Sequence, residues 1–575
     1  MPPITIAVAD FENDSDANDD GEGDASQGVL QGLNELNQKL FGRGKGLSEG
    51  STIGFRVIKT EFMPKPRVEG GTDPGFMQAH ENARQWMAEK GVDMLVWGKV
   101  NAKNRVPTLF LSGNRWQGGS ARFPMSHALT FTPDVSKELR AVLHLAIAAE
   151  ASEFPSEERV DLFTHLVTTN SMASMIQEVG GLLESASLAT SLGRGNLGQS
   201  YWILGRAQRR LALWLDNKGM LENAIESLRR AENQFGKDAF LMEWSFLQLD
   251  RGLLQLESGE RLSDETRLKF SGMLISVGLL SVTRELFPMD WAMAQSRMGD
   301  AHRLVGEILG EGSFALAYLE EAVVNYKNAL QEYTREKAPL AFASAQSGMG
   351  MALTRLGELK QESLYLVQGV QAFKQSLLVY TRRVTPSEWA SNLNNLGIAL
   401  TRLGEREGGT GHLEEAVEVY RQALLEYTRE RAPEAWALTQ SNLGAALTSL
   451  GEREGGTKRL EEAVEAYEQA LMERSEEQTP LQWATTMNNL GTAWRSLGVR
   501  GKDRVFLCKA LGAHLQAWKM ASQMGASHYM KVWGGNVEED CAVLEALGVS
   551  DPGPGCGPAV SGELLSAFPR GRYRK

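Results

Sequence analysis

The sequence predicts a mainly α-helical protein, in which an N-terminal α/β domain precedes an α-solenoid of about seven helical hairpins. Two observations lead to this fold class. The heptapeptide GEREGGT occurs at residues 404–410 and again at residues 451–457, an offset of 451 − 404 = 47 residues. Ahead of the repeats, short apolar segments alternate with amphipathic segments over residues 1–150, as they do when helices cover a sheet.

The size and charge of the chain narrow its class. At 575 residues it is longer than the ~250–300 residues at which a single hydrophobic core stops growing, so several domains or a repeat array are expected. Apolar residues make up 42% and charged residues 23%, as in ordinary soluble proteins. The net charge of −12 argues against a nucleic-acid partner, since phosphate recognition needs clustered positive charge.

A glycine marks the same place in seven copies of the repeat. Steps of 47 residues connect these glycines, apart from one step of 350 − 299 = 51 residues near GEILGEGSF; they are Gly205, Gly252, Gly299, Gly350, Gly397, Gly444 and Gly491. A bulky aromatic residue lies eight positions before six of them, and a proline precedes five of those aromatics by three positions. This register indicates one supersecondary unit that is repeated along the chain.

Each copy is predicted to form two helices joined by a turn. In the copy around Gly397, the first helix begins after Pro386 and carries apolar residues at helical spacing, such as Trp389 and Leu393. The second helix is HLEEAVEVYRQALLEYT, and GEREGGT is the turn, where glycines supply backbone angles that other residues avoid. One hairpin cannot bury its apolar face alone, so stacked hairpins are expected to share a continuous core.

These hairpins resemble the tetratricopeptide repeat. That family has Leu-Gly in the first helix, Ala-x-x-x-Phe in the second and a closing proline; the matches here are Leu396-Gly397, Ala416-x-x-x-Tyr420 and Pro433. The repeat has 47 residues rather than about 34, and its phrasing is similar to a bacterial subclass. The resemblance covers roughly residues 197–525 and implies a right-handed superhelix that binds a protein or peptide.

The resemblance also implies a row of peptide-binding asparagines. In members that bind peptides, the asparagine just before Leu-Gly lines the concave groove, and this position holds Asn395, Asn442 and Asn489. A carboxamide carries both a donor and an acceptor, so it can pair with both halves of a peptide unit. The alternative is that these side chains bond to neighbouring backbone or to water.

Two arginines and three missing lysines bear on the same groove. Arg355 and Arg402, further along the first helices, are predicted to add charge to the groove or to belong to a solvated face. The lysine that accompanies such an asparagine in carboxylate-binding members is replaced by Ser391, Leu438 and Thr485. This replacement argues against recognition of a C-terminal carboxylate.

The remaining segments are assigned by composition. Residues 1–150 are predicted to form the α/β domain, and IAVADF and GVDMLVWGKV resemble segments of α/β domains in front of bacterial repeat arrays and of the TolB N-terminal domain. A helical linker, the array, capping helices and a disordered tail are then expected at residues 151–196, 197–500, 501–550 and 551–575. The tail is expected because DPGPGCGPAVSG does not support regular structure.

An acidic loop follows the first predicted strand. Four of its residues match ligand positions of an EF-hand calcium loop: Asp16, Asn18, Asp20 and Asp24. The position of the bidentate glutamate holds Gln27, and the loop follows a strand rather than a helix. A solvated acidic loop is therefore the favoured interpretation, and neither a metal ion nor a cofactor is predicted.

These features together predict a cytoplasmic, non-enzymatic interaction scaffold. The three cysteines have no CxxC spacing, so no disulfide framework is expected. No signal peptide is visible, and no apolar run approaches the ~18 residues of a membrane span, so membrane insertion is not expected. The predicted partner is a protein or peptide, and self-association stays open. The alternative is a regulatory protein whose N-terminal domain senses a nucleotide or another small ligand, or is enzymatic, with the array as its regulator.

Overall fold

A computed structural model describes two parts of the chain. The first consists of five strand segments within residues 4–130, with isolated helical residues at 141–149. The second runs from residue 170 to residue 549, apart from residue 238, and a few further residues follow up to 569. The chain forms two compact units, Met1–Met349 and Gly350–Lys575. Within these described parts, no helix is both long and apolar enough to cross a membrane.

Five strands of the first unit form one mixed sheet in the order β2-β1-β3-β4-β5. β1 pairs in parallel with β2 and β3, whereas β3–β4 and β4–β5 are antiparallel. Their bounds are β1 Ile4–Ala9, β2 Phe55–Thr60, β3 Met94–Val100, β4 Pro107–Gly113 and β5 Leu129–Thr130. The segments that connect successive strands lie outside the described residues, so an α/β domain over 1–150 stays a prediction. The acidic loop with Asp16, Asn18, Asp20 and Asp24 also lies outside them.

The described residues of the first unit beyond the sheet are mainly helical. Its helices are α1 Ser171–Leu183, α2 Ala186–Leu215, α3 Lys218–Gln234, α4 Leu241–Leu262, α5 Glu265–Gly278, α6 Pro288–Leu309 and α7 Ser313–Ala329. The next helix, α8 Pro339–Lys360, begins in this unit and ends in the second one. In the pairs α2–α3, α4–α5 and α6–α7 the two helices pack against each other as hairpins.

The second unit continues the same pattern. Its helices are α9 Ser363–Ser376, α10 Pro386–Arg406, α11 Gly411–Ala423, α12 Pro433–Arg453, α13 Lys458–Leu471, α14 Pro480–Gly501, α15 Arg504–Gln523, α16 Ser527–Ala546 and α17 Gly562–Ala567. The pairs α10–α11, α12–α13 and α14–α15 are hairpins of the same design. The predicted succession of helical hairpins is therefore confirmed.

In the α10–α11 and α12–α13 hairpins a glycine on the first helix packs against a large ring of the second helix, whereas Gly205 and Gly252 of earlier hairpins pack against Leu228 and Ile275. A Cβ atom added to Gly397 would lie 2.5 Å from the ring of Tyr420, and one added to Gly444 would lie 2.8 Å from the ring of Tyr467. Both tyrosine rings are about 1% exposed, at the centre of the cluster that α9 to α14 share. The glycine used to find the repeat thus marks a close helix–helix approach.

The 51-residue step adds one turn of helix. α7 starts 313 − 299 = 14 residues after Gly299, as α11 starts 411 − 397 = 14 residues after Gly397. The leucine that packs on the first helix comes later, since Leu319 follows by 20 residues and Leu413 by 16. A helical turn has about 3.6 residues, so four extra residues at the start of α7 keep its packing face in register.

The C-terminal segment differs from two expectations. Cys508 on α15 and Cys556 form a disulfide with a Cα–Cα distance of 5.3 Å, although the cysteine spacing predicted none. Within residues 551–575, expected to be disordered, helix α17 is present and Phe568 packs edge-on against Trp518 at 5.0 Å. The disulfide and this aromatic contact secure a segment whose Pro–Gly composition alone indicates none of its tertiary partners.

Candidate functional site

The three predicted asparagines lie at equivalent positions on neighbouring first helices. Asn395 is on α10, Asn442 on α12 and Asn489 on α14, and each is half-buried. We call them the asparagine row, and we call the partly exposed side of α10, α12 and α14 that carries them the first-helix face. The leucine after each asparagine is buried in the core, so the backbone holds the row at a fixed spacing.

Part of the row is bonded to asparagines of the scaffold. The Nδ2 atom of Asn442 donates to Oδ1 of Asn394 on the preceding first helix at 3.1 Å. Oδ1 of Asn489 accepts from Nδ2 of its neighbour Asn488 at 3.3 Å. One end of Asn442 and one end of Asn489 are thus bonded to other side chains, rather than to the backbone or water of the alternative.

Most hydrogen-bonding groups of the asparagine row have no partner among the described residues. Asn395 forms no hydrogen bond with any residue in the described part of the chain. Among those same residues, nothing donates to Oδ1 of Asn442, and nothing accepts from Nδ2 of Asn489. A neutral carboxamide offers two donors and one acceptor atom with two lone pairs. The row thus presents both donors and acceptors at the partly exposed surface.

The structure adds a fourth asparagine that sequence reasoning missed. Asn536 on α16 lies 536 − 489 = 47 residues after Asn489 and is half-buried like the others. Its Nδ2 donates to Oδ1 of Asn488 at 2.8 Å, the same contact that Asn442 makes to Asn394. The 47-residue spacing could have identified Asn536 from the sequence. It was missed because Val-Glu follows this asparagine, where Leu-Gly follows the other three.

The two predicted arginines are engaged in ion pairs. Nη1 of Arg355 lies 3.0 Å from Glu358, and Nε of Arg402 lies 2.9 Å from the same carboxylate. Arg402 also pairs with Glu405 at 3.1 Å. Burial lowers the pKa of Arg402, but Glu405 and Glu358 outweigh this effect and raise the pKa above its ordinary value. The charge of both arginines is thus compensated within the protein.

These carboxylates form a second row, also at 47-residue spacing. The carboxylate row consists of Glu358, Glu405 and Glu452, and each accepts from the next first helix at a separation of 44 residues. The donor is Arg402 in the first case, Ser449 at 3.4 Å in the second and Ser496 at 2.8 Å in the third. This row therefore joins consecutive hairpins to one another.

The heptapeptide GEREGGT takes part in the same joining. Its arginine in the second copy, Arg453, donates from Nη1 to the carbonyl oxygen of Gly409 in the first copy at 2.6 Å. Arg500, one repeat later, donates to the carbonyl oxygens of Gly451 and Gly456. A carbonyl at a helix end has no intrahelical donor, and a cation there is favourable. The repeated Glu-Arg dipeptide is thus explained by contacts between repeats.

The floor between the rows is apolar or small. Ile398 and Ala445 follow their asparagines by three residues and are half-buried. Leu438, four residues before Asn442, exposes 46% of its surface. A ligand on this face could contact the exposed leucine with an apolar group and the free hydrogen-bonding groups of the asparagines with a polar group.

The described residues do not meet the requirements of a metal site. In the described part of the chain, no three or more His, Cys, Asp or Glu side chains are placed to hold a metal ion. The one fully buried histidine of the second unit, His514, has both ring nitrogens occupied, by Asp540 and by the carbonyl oxygen of Asn488. The first-helix face thus presents hydrogen-bonding and charged groups on stacked helices.

Comparison with solved structures gives matches at low identity. A Rap protein complexed with competence and sporulation factor is 12% identical, with coverage of 71% of this chain and 98% of that chain and a TM-score of 0.30. The APC/C hetero-tetramer Cut9–Hcn1 gives 12%, with 74% and 84% coverage and a TM-score of 0.25. A circular tandem repeat protein gives 16%, with 72% and 99% coverage and a TM-score of 0.21.

Comparison at the sequence level gives a match over two segments of the chain. No curated protein matches, and the predicted TolB resemblance of residues 1–150 is not supported. The tetratricopeptide repeat model matches residues 389–426 and 436–473, which run from Trp389 of α10 into the end of the first hairpin and from Trp436 of α12 into the end of the second. These two matched segments, which carry Asn395 and Asn442, are similar to tetratricopeptide repeats.

Proposed function

We propose that this protein is a non-enzymatic adaptor that binds an extended peptide segment of a partner protein on the first-helix face. Tetratricopeptide repeats are commonly protein-interaction scaffolds and generally lack enzymatic activity. The proposal rests on the donor and acceptor groups of Asn395, Asn442 and Asn489 that have no partner among the described residues, and on their regular spacing along neighbouring helices.

The chemistry of the row suits a backbone ligand. An extended peptide presents alternating N–H and C=O groups, and a carboxamide can donate to one and accept from the other. Contacts of this kind give affinity with little dependence on the peptide's side chains, which are then recognised by the surrounding surface. In this protein, that surface includes the exposed Leu438 and the carboxylate row.

The first prediction concerns the loss of the row. The triple change Asn395→Ala, Asn442→Ala and Asn489→Ala is expected to abolish capture of the partner from a lysate of the native host. Each hydrogen bond to a peptide contributes about 1 kcal/mol, so three lost rungs weaken binding roughly a hundredfold. The measurement is an affinity capture read by mass spectrometry, in which wild type and variant are first shown to have the same helical circular dichroism.

The chain offers a matched control for this experiment. Gln375, Gln422 and Gln469 are also carboxamides at 47-residue spacing, but they lie on or beside the second helices α9, α11 and α13. Changing all three to Ala removes the same chemical group from another face and is expected to leave capture intact. If the asparagine variant still captures the partner and the glutamine variant does not, binding lies on the second-helix side and the proposal is contradicted.

A further inference from the structure

The three carboxylates of the carboxylate row differ in how far the protein neutralises them. Glu358 pairs with two arginines, Arg355 and Arg402. Glu405 pairs with one, Arg402. Glu452 is exposed and forms no ion pair with any residue in the described part of the chain. The number of arginine partners thus falls from two to one to none along the row.

The cause is a change of residue type at one repeat position. This position holds Arg355 and Arg402 in the earlier copies and Ser449 and Ser496 in the later ones. Serine keeps a hydrogen bond to the carboxylate of the preceding copy, since Ser496 Oγ donates to Glu452 at 2.8 Å. It brings neither the positive charge nor the long side chain of arginine. Beside Glu452, the repeat therefore leaves both an uncompensated charge and the space that an arginine fills beside Glu358.

We infer that the partner peptide supplies this missing cation, as a lysine or arginine side chain that pairs with Glu452. This inference rests on the proposed function and names the side-chain chemistry that the same face selects. An exposed carboxylate without an ion pair favours a partner of opposite charge and disfavours an acidic one. A guanidinium suits the site well, because it can pair with Glu452 in the same way as Arg402 pairs with Glu358.

The spacing of the two rows places the basic residue within the peptide. Glu452 follows Asn442 by ten residues on α12, which is about 15 Å along the helix axis. An extended chain covers about 3.3 Å per residue, so about four or five residues cover that distance. Where the peptide leaves the row at Asn442 and follows α12 towards its C-terminal end, the basic residue is expected about four or five positions from the segment that Asn442 holds.

Peptide selection on the full chain tests the inference. A displayed library of random dodecamers is enriched on wild type, and the strongest peptide is synthesised for affinity measurement by fluorescence anisotropy. The enriched peptides are expected to share a lysine or arginine. Glu452→Gln is expected to weaken the peptide about tenfold and to reduce the salt dependence of its binding. Replacing the basic residue of the peptide by glutamine should weaken its binding to wild type by about the same factor. The same replacement should change its binding to the Glu452→Gln variant little.

Two further variants separate charge from structure. Ser496→Arg restores the arginine of the earlier copies, so it should pair with Glu452 internally and weaken the peptide about tenfold without loss of helix. Glu461→Gln removes an exposed carboxylate on α13 and should leave the affinity unchanged.

The outcomes distinguish the inference from the function on which it depends. Peptides that weaken with Asn442→Ala but bind Glu452→Gln and Ser496→Arg as tightly as wild type overturn the inference and leave the proposed function standing. Peptides that are indifferent to Asn442→Ala, or a library from which wild type enriches nothing, count against both.

Discussion

Replacement of Gly397 by valine is expected to destabilise the α10–α11 hairpin by about 3 kcal/mol. A Cβ at this position would lie 2.5 Å from the ring of Tyr420, closer than any real Cβ contact, and Tyr420 is about 1% exposed and has nowhere to move. Valine is nearly as poor a helix former as glycine, so little gain in helix propensity offsets the clash. The measurement is the urea dependence of circular dichroism, together with hydrogen exchange over residues 386–423.

Two controls assign this loss to the ring contact. Gly408 lies in the exposed turn and has no atom within 4 Å of an added Cβ, so Gly408→Val should change stability by less than about 0.5 kcal/mol. Tyr420→Ala should itself cost about 3–5 kcal/mol. In the double variant Gly397→Val/Tyr420→Ala the clash is absent, so the two losses should be clearly less than additive. Strict additivity would show that the glycine is required for some other reason.

The repeated hairpins could be predicted from the sequence because their determinants are local and periodic. Proline at the start of a first helix, the helix–helix glycine and the aromatic eight residues before it all recur at 47 residues, so each copy supports the assignment of the others. The 51-residue step could be located but not interpreted. Only the packing of Leu319 shows that its four residues extend the start of α7.

The features that the sequence could not predict depend on contacts between distant segments. The pairing of Cys508 with Cys556 and the packing of Phe568 on Trp518 join residues about fifty positions apart, and no spacing rule identifies such partners. The asparagine row was predicted from the sequence, but the bond of Asn442 to Asn394 was not, because it links adjacent first helices. The compensation of Arg402 by Glu358 depends on the same stacking.

The α14–α15 hairpin differs from the two hairpins before it in the ring that packs on its glycine. The position of Tyr420 and Tyr467 holds His514, whose side chain is fully buried against Gly491. Its Nδ1 lies 2.5 Å from Oδ2 of Asp540, a carboxylate that is itself fully buried on α16. In the described residues, α16 has no partner helix with which to complete a further hairpin. The polar contact therefore holds α15 and α16 together, where the α10–α11 and α12–α13 hairpins are held together by packing of a ring.

The histidine also connects the cap to the asparagine row. Its Nε2 lies 3.0 Å from the carbonyl oxygen of Asn488, whose side chain contacts Asn489 and accepts from Asn536. Arg495 on α14 lies 3.3 Å from the other oxygen of Asp540. One buried cluster thus fixes α14, α15 and α16 relative to one another, and with them the C-terminal end of the row.

His514→Ala is therefore expected to destabilise the α14–α16 region by about 3–5 kcal/mol, because it leaves the carboxylate of Asp540 buried without one of its two partners. In a repeat array the loss stays near its origin, so hydrogen exchange should rise over residues 480–546 and change little over residues 386–423. Asp540→Ala should cost a similar amount. The double variant should cost at least about 2 kcal/mol less than the sum, since removal of both partners leaves no isolated charge. Equal protection of α16 in wild type and His514→Ala would mean that apolar contacts of Trp533 and Val537 alone hold the cap in place.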